Sequence, residues 1–237
     1  MRSARRSVPD TPAAGTVGHP SCWEARSANR VVELGRDQIL ERSRRIVDAA
    51  YELLESAGLE GLTIRAVLNR TGLARRAFYE RFAGKDDLLL AVFEQTLSMA
   101  SRHFAEQVEH LDDPMERLHR IVTSIVLGNG TLAAGAGGRR GAAMSREHLR
   151  LAEARPDDLQ HAIGPLLELL VQQLSAGMQA GVVRQAEPQR LAALVYNLVS
   201  TTVHTELLAQ ESGQSDQAHR AQLAADIWEF CRRAIAA

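Results

Sequence analysis

A chain of 237 residues with 45% hydrophobic and 24% charged residues is long enough for one or two domains with a sizeable core. Its net charge of −1 does not announce a polyanionic partner, and two cysteines far apart, Cys22 and Cys231, exclude a disulfide framework and a zinc finger. No run of 18 apolar residues offers a membrane span. The opening MRSARRSVPDTPAAG lacks the apolar core of a secretory signal, so the expected location is cytoplasmic. The charge is unevenly spread: residues 1–85 hold 15 basic against 10 acidic groups, while residues 86–237 hold 13 against 19. A basic head on an acidic body is the pattern this suggests.

Residues 1–36 are rich in Arg, Ser, Ala, Pro and Gly without an apolar period, and are predicted to be a disordered basic arm. Arg2, Arg5, Arg6, Arg26 and Arg30 could follow a minor groove, although a solvated tail is the commoner outcome. A helix is predicted from Asp37, with Ile46, Ala50, Leu53 and Ala57 on one stripe and Gly58 as a left-handed cap. Thr63 should cap the next helix, which buries Ile64, Val67 and Leu68, and Gly72 supplies a tight turn. The segment Ala74–Arg81 then forms a second short helix, with Ala74, Phe78 and Phe82 set toward the core. Two helices pinched by so short a turn make a helix-turn-helix, whose second member can enter a DNA major groove.

On that second helix Arg75 and Arg76 fall in the first turn, where an arginine can pair bidentately with guanine. Tyr79 beside them suits a phosphate contact, and Glu80 either accepts from a cytosine amino group or points along the backbone. Lys85, the only lysine of the chain, stands at the start of the following helix, where the helix dipole disfavours a cation; a phosphate would explain it. Thr63 offers a second helix N-terminus to a phosphate, with plain capping an equal alternative.

Beyond this head, a long helix is predicted over residues 86–108, with Leu89, Phe93, Leu97, Ala100 and Phe104 aligned. Asp112-Asp113-Pro114 starts another, which fades into the glycine-rich stretch 128–141. Helical spacing returns at 142–154, and three more helices are expected at about 157–180, 188–210 and 217–236. The fold class is therefore all-α, divided as an arm (1–36), a head (37–85) and a helical body (86–237).

Ile46, Ala49-Ala50, Leu53, Gly58, Thr63, Gly72-Leu73, Phe78-Tyr79, Phe82, Lys85 and Leu88-Leu89 together resemble, in order and spacing, the TetR family of bacterial transcription regulators. The resemblance implies a three-helix DNA-binding domain, a helical ligand-binding and dimerisation domain, and a homodimer released from its operator by a small molecule. It departs at Ala74, where the family usually has Ser, and at Leu68 and Thr71, where it often has Ala. The expected function is a dimeric repressor on a palindromic operator; the alternative is a helical interaction protein with a degenerate helix-turn-helix.

Three further expectations complete the reading. The dimer should form through the last two helices, with Leu191, Leu194, Val195, Leu198 and Thr202 against Leu223, Ile227, Trp228 and Cys231. A pocket should be lined by Met99, His103, Phe104, Met144, His148, Leu170 and Gln173, with glycine-rich 128–138 as its gate. Finally, the eight histidines show no metal-ligand spacing and no catalytic motif occurs, so neither a metal, a cofactor nor an enzymatic activity is expected.

Overall fold

A computed structural model describes residues 22–127, 137–211 and 217–237. Ten helices occupy these residues: α1 Cys22–Gly61, α2 Ile64–Thr71, α3 Arg75–Tyr79, α4 Lys85–Val108, α5 Pro114–Leu127, α6 Gly137–Ala154, α7 Pro156–Ala162, α8 Gly164–Gln179, α9 Pro188–Glu211 and α10 Gln217–Ile235. The only strand-like feature among them is an isolated bridge between Val183 and Ala236, so the fold is all-α as expected.

The chain divides between Glu41 and Arg42, and Arg42–Ala237 is one compact unit. A continuous apolar cluster runs from Ile46 and Phe78 through Phe93 and Phe104 to Leu170 and Ile235.

Three element boundaries differ from expectation. First, α1 begins at Cys22, so residues 22–36 are helical rather than part of a disordered arm. The prolines that argued for disorder, Pro9, Pro12 and Pro20, all precede it, and CWEARSANRVVEL contains neither Pro nor Gly, the two strongest helix breakers. The rest of the predicted arm lies outside the described residues. Second, the glycine-rich stretch is helical from Gly137, earlier than the expected residue 142; its residues 128–136 lie outside the described residues. Third, the helix expected over 157–180 is two helices, broken at Ile163-Gly164-Pro165. A proline has no N–H to give and crowds the preceding turn, so α8 must start afresh there.

Gly58 has the expected positive φ, 64°, but its ψ of −163° is not that of a left-handed cap, so it kinks α1 and the helix resumes to Gly61. Elsewhere local chemistry sets the boundaries as predicted. Gly181, after α8, takes φ 72°. Asp113 accepts from the Met115 amide at 2.9 Å and starts α5 beside Pro114.

Candidate functional site

Two regions of the Arg42–Ala237 unit carry candidate chemistry. The first is the helix-turn-helix. Thr63, extended at φ −124°, accepts from the Ala66 amide at 3.0 Å and caps α2. Gly72 closes α2 in the left-handed region at φ 68°, its amide donating to the Leu68 carbonyl at 2.9 Å. Val67 is fully buried, whereas Ile64 and Leu68 pack against the core only in part. Thr71 is buried and its hydroxyl donates to the Val67 carbonyl at 2.9 Å. From α1, Arg45 donates to the Thr71 carbonyl at 2.6 Å, and Glu52 pairs with Arg70 at 2.8 Å. The turn is thus clamped from behind.

Helix α3 is only five residues long, and Phe78 anchors it at zero exposure, with the Tyr79 and Phe82 rings at 5.3 and 5.4 Å. Ala74 does not join that anchor. It is the exposed, extended cap residue without a side-chain bond, so helical spacing does not carry it inward. Arg75, Arg76, Tyr79 and Glu80 are all exposed on the outer side. The Arg75 guanidinium lies 5.4 Å from the Tyr79 ring centroid and donates to its hydroxyl at 3.4 Å.

Glu80, unassigned from sequence, accepts from Arg76 at 2.9 Å across one helical turn. This holds Arg76 in an extended, highly exposed pose and also approaches Arg81 at 3.6 Å. Lys85 has an internal partner that sequence reasoning missed: its ammonium donates to the Leu59 carbonyl at 3.2 Å, in the turn that Gly58 interrupts. The anomaly of a cation at the start of α4 therefore needs no phosphate to explain it.

The second region is a cavity of about 370 Å³ among α4, α5, α6, α8 and α9, near the lower end of the roughly 300–1,000 Å³ usual for small-molecule sites. Of the seven pocket residues expected, Met144, His148 and Leu170 line it. Met99, His103, Phe104 and Gln173 do not. Phe104 is buried in the core, and His103 is engaged by Gln107 at 3.0 Å on its own helix. The largest omission was α9, whose Val195, Tyr196, Val199, Ser200 and His204 form one wall.

Ser145 Oγ and His204 Nδ1 are 2.6 Å apart across that wall, and the His148 ring lies 6.1 Å from both Tyr196 and Phe93. Burial, followed by the neighbouring His204, lowers the His148 pKa from its ordinary value, which keeps the ring neutral at pH 7. Burial alone pushes the Tyr196 phenol up, so it remains a proton donor.

The two regions are tied together. Arg150, on the cavity helix α6, donates to both carboxylate oxygens of Asp86 at 2.6 and 3.2 Å and to Glu147 at 2.7 Å. Arg155, just beyond α6, pairs with Asp87 and with Asp158. Asp87 in turn accepts from the Ala83 amide at 2.7 Å, and that hydrogen bond adds to the larger effect of Arg155 in holding its carboxyl below the ordinary range. Only a few residues separate these aspartates from α3.

The expected dimer face needs correction too. Val195 faces the cavity, and Leu191 and Cys231 are buried inside the chain, so none of the three is free for a partner. Trp228 stacks on His119 of α5 at 4.8 Å. Leu194 and the overlooked Phe230 are 58% and 64% exposed, with Leu198, Thr202, Leu223 and Ile227 half-buried beside them on the same two helices. No helix among the described residues is long and apolar enough to cross a membrane, and no group of three or more of their His, Cys, Asp or Glu could hold a metal.

Residues 46–92 match the model of bacterial regulatory proteins of the tetR family. The chain is 22% identical over 168 residues to the fatty acid metabolism regulator protein of Bacillus subtilis strain 168, covering 68% of this chain and 80% of that one. In three dimensions it is similar to a TetR-family transcriptional regulator from Pectobacterium atrosepticum, with TM-score 0.65, 20% identity and coverage of 85% and 97% of the two chains. It is also similar to RolR in complex with resorcinol, at TM-score 0.63 and 17% identity, covering 84% of this chain and 94% of that one.

Proposed function

Because the chain belongs to the TetR family and is a DNA-binding transcription regulator, we propose that it acts as a homodimeric repressor released from a palindromic operator by a small molecule. In this reading Arg75 and Arg76 meet base edges, and Tyr79 and the Thr63 N-terminus contact phosphate. Lys85 adds positive charge near the backbone while it holds the Leu59 carbonyl. Leu194 and Phe230, with Leu198, Thr202, Leu223 and Ile227, form the face that a second copy covers.

One observation carries the reading: α6 serves both regions. It lines the cavity with Met144, Ser145 and His148, and through Arg150 it grips Asp86 at the start of α4. A ligand that shifts α6 must either drag or release the segment that follows the recognition helix. Only a ligand with different affinity for the two arrangements can change DNA binding.

The test is capture of the DNA bound by the protein in its host, followed by titration of the captured sequences at rising salt. Affinity should fall steeply with salt, in proportion to the phosphates neutralised, and the sequences should be twofold symmetric. Binding that does not exceed that of random DNA would remove the repressor reading. A wholly monomeric mass at micromolar concentration would remove the dimer.

A further inference from the structure

The wall of the cavity is chemically uneven. Helices α4, α5 and α8 present hydrocarbon, from Phe93, Leu97, Val122, Ile125, Leu166 and Leu170. The hydrogen-bonding groups stand on α6 and α9: Ser145 with His204 at 2.6 Å, His148, Tyr196 and Ser200, with the exposed Asn197 and Thr201. The described residues that line the cavity include no Lys, Arg, Asp or Glu. His148, held neutral by burial and its neighbour, supplies no counter-charge either.

This composition selects by charge. An ionised carboxylate or phosphate entering such a space gives up its hydration and meets no Lys or Arg among the described lining residues, a costly form of burial. A hydroxyl or carbonyl gives up far less and recovers it in a hydrogen bond. Resting on the reading of this cavity as the effector site, we propose that its ligand is an electrically neutral, largely apolar molecule. One end carries one or two hydroxyl or carbonyl groups, which meet Ser145, His204, His148 and Tyr196, while its hydrocarbon lies against α4, α5 and α8.

The experiment measures binding to the full chain by calorimetry at neutral pH without DNA, so that it does not depend on the operator. The probes are two matched pairs: decanol with decanoate, and para-butylphenol with para-butylbenzoate. The neutral member of each pair should bind at least about tenfold more tightly. Ser145→Ala should weaken the neutral probes several-fold, and Ser200→Trp, filling the cavity, should abolish their binding while the thermal midpoint shows the variant folded. Acids binding as tightly as their partners, with that binding lost in Ser200→Trp, would overturn the charge selection and leave the site standing. Binding unchanged in Ser200→Trp would overturn the site itself. No binding by any probe to the folded wild type would overturn both.

Discussion

The recognition segment and the cavity are built on different length scales. The caps and turns of α2 and α3 are made by bonds short in sequence: Thr63 with Ala66, Gly72 with Leu68, Arg76 with Glu80. Only the clamps from α1, Arg45 with Thr71 and Glu52 with Arg70, reach 26 and 18 residues. In the cavity, Ser145 meets His204 across 59 residues, and the walls come from five helices between Phe93 and Leu207. The head can therefore be rigid although tiny, because caps and a turn define it and one aromatic anchors it. The cavity exists only where long helices fail to meet completely. Such a gap forfeits contacts, since atoms lining a void lack partners on one side.

The widest separation between the two regions should appear when one buried anchor is cut in each. Phe78→Ala removes the fully buried ring that holds α3, and should cost about 3–5 kcal/mol in denaturant unfolding. Leu170→Ala, equally buried but facing an existing void, should sit near the lower end of the usual range, at ~2 kcal/mol. Equal losses would mean that the cavity wall is packed as tightly as the head, and the contrast would fail.

Next in size is a contrast inside the head. Arg76→Ala should blur preference at one or two base pairs, by roughly 1–3 kcal/mol of discrimination. Tyr79→Phe should weaken all sites alike, because a phosphate contact positions without specifying. Quantitative binding to an operator and its single-base variants separates the two, and equal loss of specificity would break the assignment. Arg76 must first leave Glu80, but an exposed pair holds it by no more than ~1 kcal/mol, so Glu80→Gln should tighten binding slightly.

The difference in length scale also explains what could be read in advance. Thr63, Gly72, Phe78 and Asp113 announce their roles because a cap, a positive φ or a hydrophobic spacing is a local property. Ala74 departs from the expected spacing because it stands one residue before the start of a five-residue helix. The internal partner of Lys85, the Leu59 carbonyl, could not be read locally because it is 26 residues away. In the body, Met144, His148 and Leu170 could be picked out by residue type, but their α9 neighbours could not. Helix α9 is apolar on two sides, with Val195 and Val199 turned to the cavity and Leu194 outward. Its sequence does not say which side meets what, so a single stripe was assigned to the dimer.

A smaller effect probes the link between the regions. The Arg150–Asp86 pair is close to half exposed on both sides, so breaking it with Asp86→Asn should change folding stability by less than ~1 kcal/mol. If α6 reaches the head through it, the same change should alter ligand-induced release from DNA by about 0.5–2 kcal/mol, a several-fold shift. Release unchanged in both Asp86→Asn and Asp87→Asn would show that the two regions communicate by another route.

The smallest effect expected is a pH slope that belongs to the cavity alone. His148 has a lowered pKa, chiefly from burial, with His204 adding to it. In the unfolded chain its ring takes a proton near the ordinary value of about 6.5; in the folded chain it resists until lower pH. Between those two values the unfolded state binds more protons, so stability rises with pH across the window. The contribution is therefore fully present above roughly pH 6.5 and is lost progressively as pH falls toward the folded value. His148→Gln keeps a polar group in the wall but cannot titrate, so its unfolding free energy should lose that part of the slope between pH 5 and 7 (about the span over which an ordinary histidine titrates). The head and the start of α4 give the matched control. None of their outward residues is a histidine, and Asp87, held down by Arg155 and the Ala83 amide, changes stability only at lower pH, toward and below the ordinary carboxylate range. An undiminished slope in His148→Gln would place the titrating group outside the cavity and mean that folding does not shift the His148 pKa.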